Sequence, residues 1–349
     1  MERGDDVDVI ALRRPGQPRV GEEHGVRVIR LQRRAKTEST PLTHLAKLLW
    51  FALQAFAVLT VRHLRRRYDI VQVHNIPDFL VFAALLPKLT GAKVILDIHD
   101  VLPELYAGKF DAGPDSAVFR ALLLVERLSC KFADSVVVAN HIWHERLVQR
   151  AASSAKCLTI LNSPDLRLFK PQSRERTPPN GKFIILYPGS LSRHQGLDTA
   201  IRAFAGVVDL LPDAELHIYG EGPAKAELEG LTRHLAVEDR VQLHAPLPVE
   251  QIAEVIASAA VGIEPKMADR FGNEAMSTKV LEFLASGVPV ILSRTRAHML
   301  YFDHPSVRFF ASGDHRELAD ALLDAYHHRP DDTSAQRAVE FASSYGWHR

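Results

Sequence analysis

Short runs of β-branched residues alternate with longer amphipathic stretches along nearly the whole chain. In the first half the runs at 7–11, 26–31, 70–74, 93–97, 135–139 and 157–161 read as strands, with helices predicted near 42–66, 77–89, 116–132 and 140–150. The inner runs, such as Val94, Ile95 and Leu96 or Val136, Val137 and Val138, are continuously apolar rather than alternating. That pattern marks a parallel sheet covered on both faces. Repeated strand–helix–strand units imply right-handed crossovers and a doubly wound α/β fold.

A polar, proline-containing stretch at 171–181 interrupts the alternation and reads as a linker. Beyond it strands are predicted at 183–187, 215–219, 241–244, 261–264, 289–292 and 307–310, and helices near 197–209, 223–235, 248–259, 278–285 and 314–328. The predicted organisation is an N-terminal domain over 1–170, a linker, a C-terminal domain over 182–328 and a terminal segment over 329–349. At 349 residues there is material for two separate cores. Two such domains are expected to face a cleft at their strand C-termini, where ligands bind in doubly wound sheets.

Composition narrows the classes. Apolar residues make up 46% and charged residues 24%, and 43 basic against 42 acidic side chains give a net charge of +1. A general nucleic-acid binder needs a basic excess, so none is expected. Cys130 and Cys157 are too few for a disulfide framework, which fits a reduced, cytoplasmic setting. The first residues have no apolar core and do not read as a signal peptide. The apolar run 48–61 falls short of the 18–20 residues or so that span a bilayer. Arg62, Arg65, Arg66 and Arg67 follow it. Two readings stand for 48–67: a core helix whose cations suit its C-terminal dipole, or a helix lying on an anionic membrane.

The most informative stretch is 271–290. Glu274 and Glu282 are separated by seven residues, Gly272 and Asn273 permit a tight loop, Ser277 or Thr278 can cap a helix, and Gly287 can stop it. Glu274 is thereby expected in the loop and Glu282 in the helix. Carboxylates accept hydrogen bonds from hydroxyls, and a helix start favours an anion such as a diphosphate. In one unbroken helix the two would lie on the order of 12 Å apart. Either geometry suits one carboxylate at a hexose and the other at a ribose.

This stretch, with its closing Glu-Phe-Leu-Ala-Ser-Gly-Val-Pro-Val, resembles the Glu-x7-Glu signature of glycosyltransferase family 4, retaining enzymes of GT-B fold. Tyr187-Pro-Gly-Ser-Leu-Ser-Arg-His-Gln-Gly-Leu-Asp198 is similar to the first strand–loop–helix of that family's donor domain, and Ile218-Tyr-Gly-Glu-Gly-Pro223 to the end of the next strand. Asp97-Ile-His-Asp-Val-Leu-Pro-Glu104 resembles an acceptor-domain loop, and 162–169 the passage into the linker. The resemblance covers roughly residues 5–347 and is nearest to bacterial exopolysaccharide, capsule and O-antigen transferases. It implies a nucleotide-diphosphate sugar donor, a glycan or lipid-linked acceptor, Glu274 facing the donor sugar, Glu282 on the ribose, and His99 on the sugar or its phosphate. Gly189, Ser190, Arg193, His194, Glu221 and Thr278 fall on the donor-binding segments.

Two departures stand out. The arginine and lysine that usually grip the diphosphate fall at Ser190 and Gln195, so Lys279 becomes the leading candidate cation, with Arg193, His194 and the helix start near Thr278 behind it. Charge still has to be stabilised there in the transition state. Secondly, the chain opens as if at the end of the family's first helix, so one βα unit of about 30 residues is expected to be missing. On that expectation the sequence is a truncated frame or fragment, with 345–349 the start of a helix returning to the N-terminal domain.

His74, Asn75 and Asp100 follow strand ends and are acceptor-side candidates, although Asp100 and Glu104 equally suit a loop-holding role and 74–78 equally suits a helix start. No cluster has metal-ligand spacing, so no metal is expected, and no cofactor beyond the nucleotide-sugar substrate. The resemblance implies front-side transfer, in which the departing diphosphate accepts the acceptor proton. The alternatives are a catalytically inactive nucleotide-sugar-binding subunit, a nucleotide-sugar epimerase, or a phosphorylase-like enzyme on the same scaffold. The last is disfavoured by the lack of a lysine in a pyridoxal-phosphate setting.

Overall fold

The computed structural model describes residues 4–33, 41–110, 115–171, 181–269, 272–328 and 332–346. Residues 172–180 of the expected linker, the end of the expected returning helix at 347–349, and Phe271 lie outside them. The chain divides into two compact units, Met1–Ile160 and Leu161–Arg349.

The first unit runs β1 (Asp8–Arg13), β2 (Val20–Glu23), β3 (Val26–Arg33), α1 (Pro41–Arg65), β4 (Ile70–His74), a 3-10 helix (Asp78–Ala84), α2 (Leu85–Leu89), β5 (Lys93–Ile98), α3 (Leu102–Phe110), α4 (Ala117–Phe132), β6 (Ser135–Val138), α5 (His141–Arg150) and β7 (Cys157–Thr159). The parallel sheet orders β4-β5-β6-β7; Val94, Leu96, Ile98, Val136 and Val138 are buried, but Ile95 and Val137 between them are only half-buried and β4 is exposed at alternate residues, so the expected covering of both faces is incomplete here. Side-chain caps start two of the helices: Ser116 accepts from the Phe119 N–H of α4 at 3.2 Å, and Asn140 from the Trp143 N–H of α5 at 2.8 Å.

One continuous sheet was the expectation for this unit; there are two. β1, β3 and β2 form a separate sheet, with β1 parallel and β2 antiparallel to β3. Among the described residues no strand pairs the free edge of β1 or of β4. Side chains tie the small sheet to α1 and to the segment just before β4. Asp8 on β1 accepts from Arg62 Nη2 at 2.8 Å and from the Tyr68 hydroxyl at 2.5 Å, and its carboxyl is held below the ordinary range by those partners against the opposing effect of burial. β2 itself was unforeseen; it turns into β3 through His24 and Gly25, both at positive φ (51° and 77°), the backbone of a two-residue hairpin.

The apolar run at 48–61 is part of a 25-residue helix, α1. Among the described residues it is the one helix long and apolar enough to cross a membrane by length and composition, so the expectation of a run too short to span is corrected. Its Ala55, Leu59 and His63 are buried, whereas Leu49, Trp50 and Leu53 are 53–57% exposed.

The second unit runs β8 (Phe183–Pro188), α6 (Leu197–Val207), β9 (Ala214–Tyr219), α7 (Lys225–His234), β10 (Val241–His244), α8 (Val249–Ser258), β11 (Val261–Glu264), α9 (Thr278–Ala285), β12 (Val290–Ser293), α10 (Arg296–Tyr301), β13 (Val307–Phe310), α11 (His315–His327) and α12 (Asp332–Ser343). Its six strands are all parallel in the order β10-β9-β8-β11-β12-β13. The strand order reverses between β8 and β11, and a ligand crevice forms at that reversal, beyond the strands' C-terminal ends.

The units part ten residues before the expected domain boundary because Leu161, Leu166, Leu168 and Phe169 pack into the second unit's core with Val280, Leu284 and Ala338. α12 contributes Ala338 and Ala342 to the same cluster, and the Tyr345 hydroxyl donates to Tyr301 O at 3.2 Å.

Candidate functional site

The ends of β8 and β11 carry the densest polar chemistry of the second unit. After β8 the chain passes Gly189 and Ser190, makes a 3-10 turn at Arg193–Gln195 and enters α6 at Gly196, whose φ of 67° is left-handed. A Cβ on Gly196 would lie 2.1 Å from Pro265 O, and one on Gly220 would lie 1.8 Å from Gly189 O. The loops after β8, β9 and β11 therefore touch through backbone, and glycine is the residue that permits it.

Beneath Gly189 lies a buried charge cluster. Glu264, the last residue of β11, is 1% exposed. Its Oε2 is 2.7 Å from Lys279 Nζ, and its Oε1 is 3.4 Å from Lys266 Nζ. Burial acts to raise the Glu264 pKa, but Lys279 and then Lys266 outweigh it and hold the carboxyl at about 2. Lys279 is pushed up despite its own burial, because Glu264 and the Tyr187 hydroxyl, 3.2 Å away, face it. Its ammonium also lies 4.3 Å from the centroid of the Tyr187 ring. Lys266 donates to Ala275 O at 3.1 Å, and burial lowers its pKa. Two ammonium groups on one carboxylate leave one net positive charge at the crevice. A Cβ at Gly189 would come within 3.0 Å of Lys279 Nζ, so this cation and the β8 loop are adjacent.

The two glutamates stand on either side of the α9 start. Gly272 N donates to Asp269 Oδ1 at 2.6 Å, Asn273 Oδ1 accepts from Arg296 N at 2.8 Å, and Glu274 Oε1 is 3.7 Å from Arg296 Nη1. The loop is thus pinned to the start of α10. Thr278 is the first residue of α9; Ser277 precedes it without a side-chain capping bond, contrary to the expected cap, and Gly287 ends the helix at φ 71° as foreseen. Glu282 is raised to about 7: burial dominates, Lys279 opposes it and Glu264 adds to it.

Of the remaining donor-side candidates, Arg193 and Glu221 face solvent, whereas Ser190, whose carbonyl accepts from the Tyr187 hydroxyl at 3.1 Å, and His194 border the cluster. The Arg193 side chain is 86% exposed and pairs with Glu227 at 3.1 Å. Glu221 is exposed, 3.9 Å from Lys225, while its carbonyl accepts from Leu191 N at 2.9 Å. Ser190 Oγ accepts from Gln195 Nε2 at 3.3 Å. His194 is half-buried beside Ser192 Oγ at 3.3 Å, and burial lowers its pKa. Glu264, Lys266 and Tyr187 were not among the sequence candidates. A signal existed: Glu264-Pro-Lys266 follows an apolar strand at its C-terminal end.

In the first unit His74 and His99 come together at the ends of β4 and β5, with His74 Nδ1 2.9 Å from His99 Nε2. Asn75 works as a clasp between the strands. Its Oδ1 accepts from His99 N at 2.8 Å, and its Nδ2 donates to Asp100 O at 2.7 Å and to Asp78 at 2.9 Å. Asp78 is buried, which raises its pKa. Glu104 takes the loop-holding role: Arg150 bonds it at 2.6 and 2.9 Å and also bonds buried Glu126 at 2.7 Å.

Fold and site together define an α/β protein of GT-B type with a cationic crevice at its topological switch point. Two family models cover almost the full chain: "Glycosyl transferases group 1" over residues 169–342 and "Glycosyl transferase 4-like domain" over residues 1–163. The chain belongs to the family 4 type of glycosyltransferase. D-inositol 3-phosphate glycosyltransferase 1 of Catenulispora acidiphila is 24% identical over 302 residues, which span 80% of this chain and 69% of that relative. A GDP-mannose-dependent alpha-(1-6)-phosphatidylinositol dimannoside mannosyltransferase of Mycobacterium tuberculosis is 30% identical over 201 residues, 51% of this chain and 49% of its own. The chain spans about half the length of several curated relatives it matches. Among solved structures, sucrose-phosphate synthase from Thermosynechococcus elongatus matches with a TM-score of 0.78 at 21% identity, over 99% of this chain and 86% of that one. Anabaena HepE in complex with UDP and glucose matches with a TM-score of 0.69 at 18% identity, over 92% and 83%.

Proposed function

We propose that this glycosyltransferase moves a hexosyl group, with retention of configuration, from a nucleoside-diphosphate sugar to a hydroxyl of a glycan or lipid-linked acceptor in surface-polysaccharide synthesis. The observation that carries the reading is the placement of Lys279 against Gly189 at the β8–β11 switch point, between Glu274 and Glu282. UDP bound to the structural neighbour supports a nucleotide donor.

In this reading the diphosphate lies over Gly189 and the start of α9. The surplus charge of the Glu264–Lys266–Lys279 cluster neutralises the negative charge that grows as the glycosidic bond breaks. Glu282 accepts hydrogen bonds from the ribose and Glu274 from the hexose, fixing the donor for attack. The acceptor hydroxyl attacks the anomeric carbon on the face the diphosphate leaves, and its proton passes to the departing phosphate oxygen. No protein nucleophile is required, and no step is assigned to a metal, because the lysines and the helix start supply the positive charge.

The exposed Leu49, Trp50 and Leu53 of α1, with Arg65 and Arg67 at and beyond its end, support a contact with an anionic membrane on the cytoplasmic face, while Arg62 and Arg66 are held by Asp8 and Asp6. Ala55 and Leu59 pack α1 onto its own unit, which favours lying on the membrane over spanning it.

The test is product analysis. The protein is incubated with isotope-labelled nucleoside-diphosphate hexoses and lipid-linked acceptors, and the products are read by mass spectrometry and NMR. Label joined to the acceptor in the donor's anomeric configuration is the expected result. An epimerised donor, an inverted product, or tight donor binding without turnover across the panel contradicts the reading.

A further inference from the structure

The ends of β4 and β5 gather three ligand atoms that lie far apart in the sequence. His74 is the register partner of Asp97, so their side chains leave the sheet on one face; His99, two residues past Asp97, returns to it. His74 Nδ1 lies 2.9 Å from His99 Nε2 and 3.1 Å from Asp97 Oδ2, and His99 Nε2 lies 3.6 Å from the same oxygen. A point about 2.1 Å from all three atoms, the bond length of zinc to imidazole nitrogen or carboxylate oxygen, exists about 0.9 Å to one side of their plane.

These atoms are poorly served by one another. Two facing ring nitrogens can share one proton, and the carboxylate brings a further acceptor to the same point. A divalent cation satisfies all three. Surrounding contacts hold them ready for it: Gln72 Nε2 donates to Asp97 Oδ2 at 2.8 Å, and Asn75 Oδ1 fixes the backbone N–H of His99 at 2.8 Å. Two imidazoles and one carboxylate suit zinc, cobalt, nickel or copper better than magnesium or calcium, which prefer oxygen ligands. His74 and His99 are exposed, which leaves a fourth position open to water.

We propose that His74, Asp97 and His99 form a site for one divalent transition-metal ion of the zinc class.

The test titrates the full chain, stripped with a chelator, with zinc(II) by calorimetry, and follows cobalt(II) by its visible absorption. One ion per chain is expected. His74→Ala, His99→Ala and Asp97→Asn should each weaken it at least tenfold. His217→Ala, which removes a member of the separate His217–His244 pair, should leave it unchanged. His74 is exposed, so His74→Ala is expected to keep the wild-type melting temperature and report on the ion alone. Unchanged zinc affinity in His74→Ala and His99→Ala, or equal loss in His217→Ala, overturns the site.

Discussion

Lys279 Nζ lies 2.7 Å from Glu264 Oε2, and the carboxylate it meets is 1% exposed. The cation proposed to meet the leaving diphosphate is therefore fixed from behind by a buried partner. Such a cation needs no reorganisation when charge develops, the condition under which electrostatic stabilisation is strongest.

Glu264 has a second buried partner, Lys266 at 3.4 Å. Lys279→Met leaves that pair in place, so it should lower stability by only roughly 1–3 kcal/mol while abolishing transfer. Adding Glu264→Gln strips buried Lys266 of its counter-charge, so it should lower stability further and restore no turnover. Urea unfolding and a labelled-donor assay separate the two effects; recovery of turnover in the double variant would make Lys279 purely structural.

Glu282 trades stability for binding. Its folded pKa of about 7 lies above the ordinary glutamate value, so the stability it contributes by holding a proton is present in acid and lost as pH rises through 7. Glu282→Gln should therefore be more stable than wild type at pH 8, by roughly 2–3 kcal/mol, and no more stable near pH 4.5. It should bind nucleoside diphosphate at least tenfold more weakly. Unchanged affinity in calorimetry would remove the ribose assignment.

His298 has the opposite sign. It is fully buried, its Nδ1 donates to Ser293 O at 2.8 Å, and burial followed by Lys266 depresses its pKa to about 4. The unfolded chain takes up this proton near pH 6.5 and the folded chain only near 4. Stability present above 6.5 is thus lost as pH falls through that window, by roughly 3 kcal/mol. In His298→Gln the decline between pH 6.5 and 4 should flatten; equal slopes in denaturant titrations would contradict the account.

Gly220→Ala places a Cβ against Gly189 O at 1.8 Å, backbone against backbone. Neither strand end can yield cheaply, so a loss of roughly 3 kcal/mol or more is expected, together with loss of nucleotide binding. A melting temperature within a degree or two of wild type would show that the β8 and β9 loops have room to part.

Trp50→Ser with Leu53→Ser removes exposed apolar surface from α1. Partition onto anionic vesicles should fall at least tenfold in a sedimentation assay, while melting temperature holds or rises. Lower stability with unchanged partition would return α1 to the role of a core helix.

Much of the scaffold was legible in the chain. β4, β10, β11, β13 and α9 begin and end where periodicity and turn residues put them. β2 was missed because Val-Gly-Glu-Glu carries no apolar alternation and is held by its hairpin partner; α3 was missed because Pro103 and Gly108 mask a nine-residue helix. At the site, Glu274 and Glu282 stood out through the residues around them. The ion pair under Lys279 did not, since Glu264 is fifteen positions away and meets it only when β11 and α9 pack. His74 and His99 were each visible at a strand end, but their meeting depends on sheet register, which no spacing rule encodes.

The most direct test is a crystal of the protein soaked with a nucleoside diphosphate. The account predicts the diphosphate over Gly189 and the first turn of α9, with the ribose hydroxyls within hydrogen-bonding reach of Glu282. A nucleotide lodged away from residues 274–282 and the β8 loop would contradict it.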